Sequence, residues 1–194
     1  MKLDTYHHGN LKEELIEKGL ECIDKYGMEA LSMRKLADSI GVSPAAPYAH
    51  FKNKEAFLSE VRNYITERFY SSLIEITDNC SNPSRILLEL GKSYVLFFYE
   101  NPLYYQLLFS IGDIDIDDYP PFRLFKTTAE KVLKGLLGNK GSRANKMNNS
   151  VIHAKVIALW SLVHGLSSVV TVKGVVDTNH LEDEVELILS SINV

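Results

Sequence analysis

Cysteine is nearly absent: Cys22 and Cys80 are the only two in 194 residues. They lie far apart, with neither the density of a disulfide framework nor the short spacing of a zinc site, so each reads as a small buried hydrophobe in a reducing compartment. Glycine (11) and proline (6) are also sparse, which excludes low-complexity and linker-dominated architectures. The first ten residues lack the apolar core of a secretory signal, so a cytoplasmic protein is expected. The longest apolar stretch, Val151 to Val172, carries His153, Lys155 and His164 at depths where lipid would penalise them. It is expected to be a buried helix of a soluble protein.

Catalytic signatures are missing too. There is no phosphate-cradling glycine loop, no H-E-x-x-H pair and no nucleophile elbow, so neither an enzyme nor a cofactor is expected. Asp113, Asp115, Asp117 and Asp118 form an acidic loop between Gly112 and Tyr119. They lack the glycine and terminal glutamate of a calcium loop and read as solvated, so no metal is expected. A formal net charge of −4 argues against indiscriminate coating of nucleic acid. The charge is distributed unevenly, however. From Ser32 to Lys54 the charges are Arg34, Lys35, Lys52 and Lys54 against Asp38 alone, whereas Glu13, Glu14, Glu17, Glu21 and Asp24 gather in the preceding segment. Such a dipolar head presents a basic edge within an acidic whole.

What is present is helical periodicity from end to end. Leu11, Leu15, Ile16, Leu20, Ile23 and Tyr26 recur at helical spacing behind Asn10 as N-cap, and Gly27 stands where a left-handed C-cap is wanted. Ser32 is the expected N-cap of a second helix with Met33, Leu36, Ala37 and Ile40 inside. Ser43-Pro44 opens a short third helix to about Phe51. Asn53 caps a fourth running to about Thr77. Polar punctuation at residues 78–83 is the expected domain boundary. Helices then follow over Ser84–Glu100, Leu103–Ile111, Pro121–Leu137, Val151–Val172 and His180–Ile192, with a polar loop from Gly138 to Asn149. Val169 to Val176 is β-branched enough to be ambiguous with a strand; its helical flanks favour a helix end. The fold class is all-α, with about nine helices. Residues 1–58 form a head, residues 54–77 a linking helix and residues 78–194 a body.

Leu36-Ala37-Asp38-Ser39-Ile40-Gly41-Val42-Ser43 has the marks of a helix-turn-helix. Ala37 is small where two backbones must approach, and Gly41 tolerates the positive φ of a tight turn. Leu36, Ile40 and Val42 fill the wedge between the helices. In the residues that follow, Tyr48, Phe51, Lys54, Glu55 and Leu58 recur at the spacing of the recognition-helix and helix-four signature of the tetracycline-repressor (TetR) family, which this head resembles. Tyr6-His7-His8-Gly9-Asn10-Leu11 and Ala46-Pro47-Tyr48-Ala49-His50-Phe51 are similar to a branch of that family with a tryptophan–histidine–glycine element, here Trp160, His164 and Gly165.

The resemblance implies that the third helix enters the major groove of DNA while its flanks hold phosphates. Ala45 and Ala46 offer methyl contacts, and Pro44 has no N–H to give. Direct reading is therefore expected to fall to Arg34, Ser43, Tyr48 and His50, with shape readout and an arm from Thr5 to His8 supplying the rest. Lys54, Tyr48 and Ser32 are the expected phosphate contacts, and Lys52 also belongs to the expected DNA-binding set.

One head reads too few base pairs for genomic specificity, so a homodimer on a palindromic duplex is expected. Ala154, Ala158, Ser161, Gly165 and Ser168 form a small-residue strip at about four-residue spacing. With Leu187 they are the expected dimer interface; the alternative is packing within one subunit. Tyr94, Phe97, Phe98, Tyr104, Tyr105, Phe109, Phe122, Phe125, Trp160 and His164 crowd the body. They are the expected pocket for a small, apolar or aromatic-compatible effector, although the same residues also suit a plain core. Effector binding is expected, by resemblance, to release DNA. The alternative is a helix-turn-helix protein with no small-molecule effector, controlled by a protein partner or purely architectural.

Overall fold

The computed structural model describes residues 11–82, 85–109, 115–137, 142–172 and 180–191, with side chains omitted at 136–137 and 142–148. Asn10, the Thr5–His8 arm, Asp113, most of the Gly138–Asn149 loop and the end of the Val169–Val176 segment therefore lie outside the residues or side chains described. Among the described residues there are eight α-helices, two 3-10 turns and no strand. The chain divides into two compact units, Met1–Ile65 and Thr66–Val194.

In the first unit α1 (Leu11–Tyr26) buries Leu15, Ile16, Leu20 and Ile23 along one face. Gly19 shares that face for a steric reason: a Cβ there would sit 2.4 Å from Cζ of Phe57. Gly27, at φ +80°, ends the helix and leads into a 3-10 turn, Met28–Ala30. Helix α2 (Met33–Ser39) follows with Met33, Leu36 and Ala37 buried. Gly41, at φ +75°, supplies the left-handed residue of the interhelical turn, and the Val42 N–H donates back to the Ala37 carbonyl (3.1 Å). Helix α3 (Lys54–Asn79) starts where the Asn53 side chain accepts from the Ala56 N–H (2.8 Å), the cap expected there. Phe51 and Phe57 meet edge-to-face at 5.0 Å, and Val61 and Ile65 close the core. α3 contributes its first turns to this unit and the remainder to the second.

Three expectations need correction here. The third helix is not α-helical but a single 3-10 turn, Ala46–Ala49. Proline lacks the N–H that an α-helical bond from position 47 to 43 requires. The chain instead closes three-residue bonds, from the Ala46 N–H to Ser43, Tyr48 to Ala45 and His50 to Pro47. Ser32 occupies the N-cap position of α2, but its side chain makes no capping bond. Cys22 and Cys80 are half-buried rather than buried.

In the second unit α4 (Ile86–Glu100) packs against α5 (Pro102–Phe109), α6 (Pro120–Leu137), α7 (Ser142–Val170) and α8 (Leu181–Ser190). Leu90, Tyr94, Val95 and Phe98 of α4 are fully buried, as are Phe69 and Leu73 of α3. Gly91 lets α8 come close, since a Cβ there would lie 3.0 Å from Leu189 and 3.2 Å from Val163. Ion pairs fasten the same two helices: Lys92 meets Glu186 (2.6 Å) and Glu182 (3.4 Å), and Arg85 reaches Glu186 (3.3 Å).

Helix α7 begins at Ser142, inside what the sequence marked as loop, and it is not buried throughout. Ile152, Val156, Trp160, Val163, Ser167 and Val170 face the core, whereas Val151, Ile157 and Val169 are exposed on the other side. By length and composition alone Asn149–Val170 is apolar enough to cross a membrane. Its two-sided pattern accounts for that hydropathy: one apolar face is packed and a second is bare.

Candidate functional site

The head presents a short polar turn on a hydrophobic base. Phe51 and Pro47 are buried and anchor the segment, while Ser43, Pro44, Ala45, Tyr48, His50 and Lys52 are exposed and Ala46 is half-exposed. Tyr48 is 54 % exposed, so its phenol is not part of the core; Phe51 fills that role. Arg34 and Lys35 are exposed on α2, and among the described residues no carboxylate lies within ion-pair distance of Arg34, Lys35 or Lys52. Lys54 is half-buried and its ammonium donates to the Met28 carbonyl (3.1 Å), tying the start of α3 to the first 3-10 turn. That engages one of three N–H groups and leaves two for another acceptor. The uncapped Ser32 hydroxyl is likewise free of a helix-capping role.

The aromatic residues of the body pack against one another. Tyr94 meets Trp160 edge-on at 5.0 Å, Phe122 and Phe125 approach the same indole at 5.0 and 5.4 Å, and Phe98 contacts Tyr105 and Phe109. Phe97 and Tyr104 lie at the edge of the same web. His164 is held between two phenols, Nδ1 3.0 Å from Tyr94 Oη and Nε2 3.2 Å from Tyr105 Oη, with Tyr105 also donating to the His164 carbonyl (3.3 Å). One proton arrangement satisfies every group. Tyr94 donates to Nδ1, the Nε2–H donates to Tyr105, and Tyr105 donates to the carbonyl. Burial lowers the His164 pKa and keeps the ring neutral. Burial also pushes the Tyr94 phenol well up, and Tyr119 likewise. The Tyr119 hydroxyl is buried without a well-formed hydrogen bond, and only Thr66 opposes its shift.

The open space lies beside this web. A cavity of about 890 Å³ is bounded by the end of α3, the start of α4, and α6, α7 and α8. Of the ten residues expected to line a pocket, Phe125 alone is on its wall. The wall is largely aliphatic, with Thr77, Cys80 and Ser190 and, on α6, Thr127, Thr128 and Lys131 as polar elements, and sequence reading missed these residues. Their signal was weak: a Thr-Thr pair followed one turn later by lysine is ordinary surface composition until the fold places an aliphatic hollow beside it.

The small-residue strip is on the bare side of α7. Ala154, Ala158, Ser161, Gly165 and Ser168 are all exposed, and nothing lies within 4 Å of where a Cβ on Gly165 would be. Leu187 of α8 is 70 % exposed.

Residues 15–61 match the family model described as bacterial regulatory proteins, tetR family. The match lies wholly within the head. The chain is 47 % identical over 47 residues to the class C tetracycline repressor of Escherichia coli, which is 24 % of this chain and 22 % of that repressor's length. The chain thus aligns with about a fifth of that curated relative. Over nearly its whole length the fold is shared with solved structures of low identity. A Rhodococcus sp. RHA1 protein of unknown function has a TM-score of 0.77 at 20 % identity, covering 97 % of this chain and 96 % of that one. A transcriptional regulator of the TetR/AcrR family from Thermobifida fusca YX-ER1 has a TM-score of 0.69 at 16 % identity, covering 92 % and 95 %. The head that matches the tetR model therefore accompanies a body whose helical fold is shared with these solved structures.

Proposed function

We propose that this chain is a cytoplasmic, homodimeric transcription regulator that binds palindromic DNA and is released from it by a small molecule. The reading rests on one observation: the tetR-type head carries a cluster of exposed, unpaired cations and hydroxyls around a proline-fixed turn. Arg34, Ser43, Tyr48, His50 and Lys52 are its base and phosphate contacts, assisted by Ser32 and the two free N–H groups of Lys54. The second head comes from a partner copy. Val151, Ile157, Val169 and Leu187, with the small residues between them, form an apolar face of the kind that two identical subunits bury. An architectural protein without an effector needs no body cavity, and the presence of one supports the ligand-responsive reading over it.

Fluorescence anisotropy with duplex from upstream of the chain's own gene tests this. Binding is expected to fall steeply with salt. Sedimentation is expected to give a dimer that Ala158→Glu converts to monomer. Salt-independent binding, no bound duplex of any sequence, or a wild-type monomer at micromolar concentration would refute the proposal.

A further inference from the structure

We infer that the body cavity takes a linear amphiphile with an apolar tail and a single anionic head, with the head at Lys131 and the tail along the aliphatic walls. The wall chemistry selects the tail. Ile86, Leu87, Leu159, Leu162, Val163 and Leu189 contribute branched aliphatic surface, and among the described residues Phe125 is the one aromatic ring on the wall. A hollow walled chiefly by branched aliphatic side chains suits a flexible chain better than a planar, functionalised ring system. Its volume is within the range of small-molecule sites.

The charge on the wall selects the head. Among the described residues no aspartate or glutamate lines the cavity, and Lys131 is its one ionised group. Lys131 is exposed, so it stands at the opening, and Thr127 and Thr128 precede it by four and three residues, on the same face of α6. Two hydroxyl side chains and an ammonium thus line the same stretch of the wall within one helical turn. The neighbouring lysines of that helix have acidic partners: Lys126 faces Asp117 (3.8 Å) and Lys134 pairs with Glu130 (3.0 Å). Among the described residues Lys131 has none. A cationic ligand would meet an unneutralised ammonium at the opening, and an anionic one would complete an ion pair supported by hydroxyl donors.

This inference rests on the ligand-responsive reading only for what binding accomplishes; binding itself is measured without DNA. Phe125 joins the cavity wall to Trp160, the single tryptophan of the chain, so occupancy is readable as intrinsic fluorescence. The full chain is titrated with dodecanoate below its micellar range, and in parallel with dodecanol and dodecyltrimethylammonium, by fluorescence and calorimetry. Dodecanoate is expected to saturate at one per chain and the cation not to bind. Lys131→Gln is expected to weaken dodecanoate about tenfold, the scale of a lost charge-assisted hydrogen bond. Val132→Trp, which fills the hollow, is expected to abolish binding while the circular dichroism melt stays cooperative. Equal affinity of dodecanoate for Lys131→Gln and wild type, or binding of the cation or alcohol as tight as that of dodecanoate, overturns the head assignment. Unchanged binding to Val132→Trp overturns the cavity assignment. Dodecanoate that binds yet leaves duplex affinity unaltered upholds the cavity ligand and overturns the regulatory reading instead.

Discussion

The head and the body solve the burial problem in opposite ways. The head is held by one aromatic pair, Phe51 and Phe57, over a few aliphatic side chains, and it keeps its polar residues outside. The body buries a web of rings around Trp160 and His164, and draws polar atoms in with them. A small core with one close fit tolerates little change. A wide core shares each loss among many neighbours but must satisfy every phenol and imidazole it encloses.

The sharpest way to break this contrast is at Phe57. Phe57→Ala is expected to cost about 3–5 kcal/mol, abolishing DNA binding while leaving most of the far-ultraviolet helical signal of the body intact. Loss of all helical signal would show that the head and body do not differ in this way. Gly19→Ala, which drives a methyl into the Phe57 ring, is expected to destabilise by about 1–3 kcal/mol in urea unfolding, again in the head. On the surface of the head, Tyr48→Phe and Lys52→Ala are expected to leave stability within about 0.5 kcal/mol of wild type. Each is expected to weaken duplex binding whatever its sequence, and Lys52→Ala to reduce the salt slope by about one.

The smallest effect belongs to the body and is read in pH. The His164 pKa is lowered in the folded state, so the unfolded chain binds the proton more readily. Stability from this group is complete above its unfolded value near 6.5 and is lost as pH falls below it toward the folded value. His164→Gln is expected to flatten the acid side of the melting-temperature profile below that pH; an unchanged slope would assign the acid sensitivity elsewhere. The Lys92–Glu186 pair has a separate window. Lys92 lowers the Glu186 pKa, so their contribution is present above 4.5 and fades on further acidification.

The same contrast explains what could be read from the chain alone. Gly27, Gly41 and the Asn53 cap were legible because each meets a requirement local to a few bonds. The small residues of α7 stood out at one-turn spacing, but the sequence alone could not place them outside rather than inside. The 3-10 turn was missed because Ser43-Pro44 reads as an α-helical start, while Pro47 three positions later denies the next bond. The cavity left only the weak mark of the Thr127-Thr128 pair before Lys131. Aromatic residues announce themselves in a sequence, yet here they fill space; the hollow is a by-product of where aliphatic helices fail to meet, set by α3, α4, α6, α7 and α8 together.

Pro44 and Pro47 have one further consequence. Their rings fix two φ angles of the exposed turn in the free protein, and Phe51 locks its far end. The segment proposed to meet the duplex is therefore rigid beforehand, and little freedom remains to be surrendered on contact. Association should then resemble docking of a preformed key, with a heat-capacity change no larger than the contacted surface requires and no slow ordering phase in the approach.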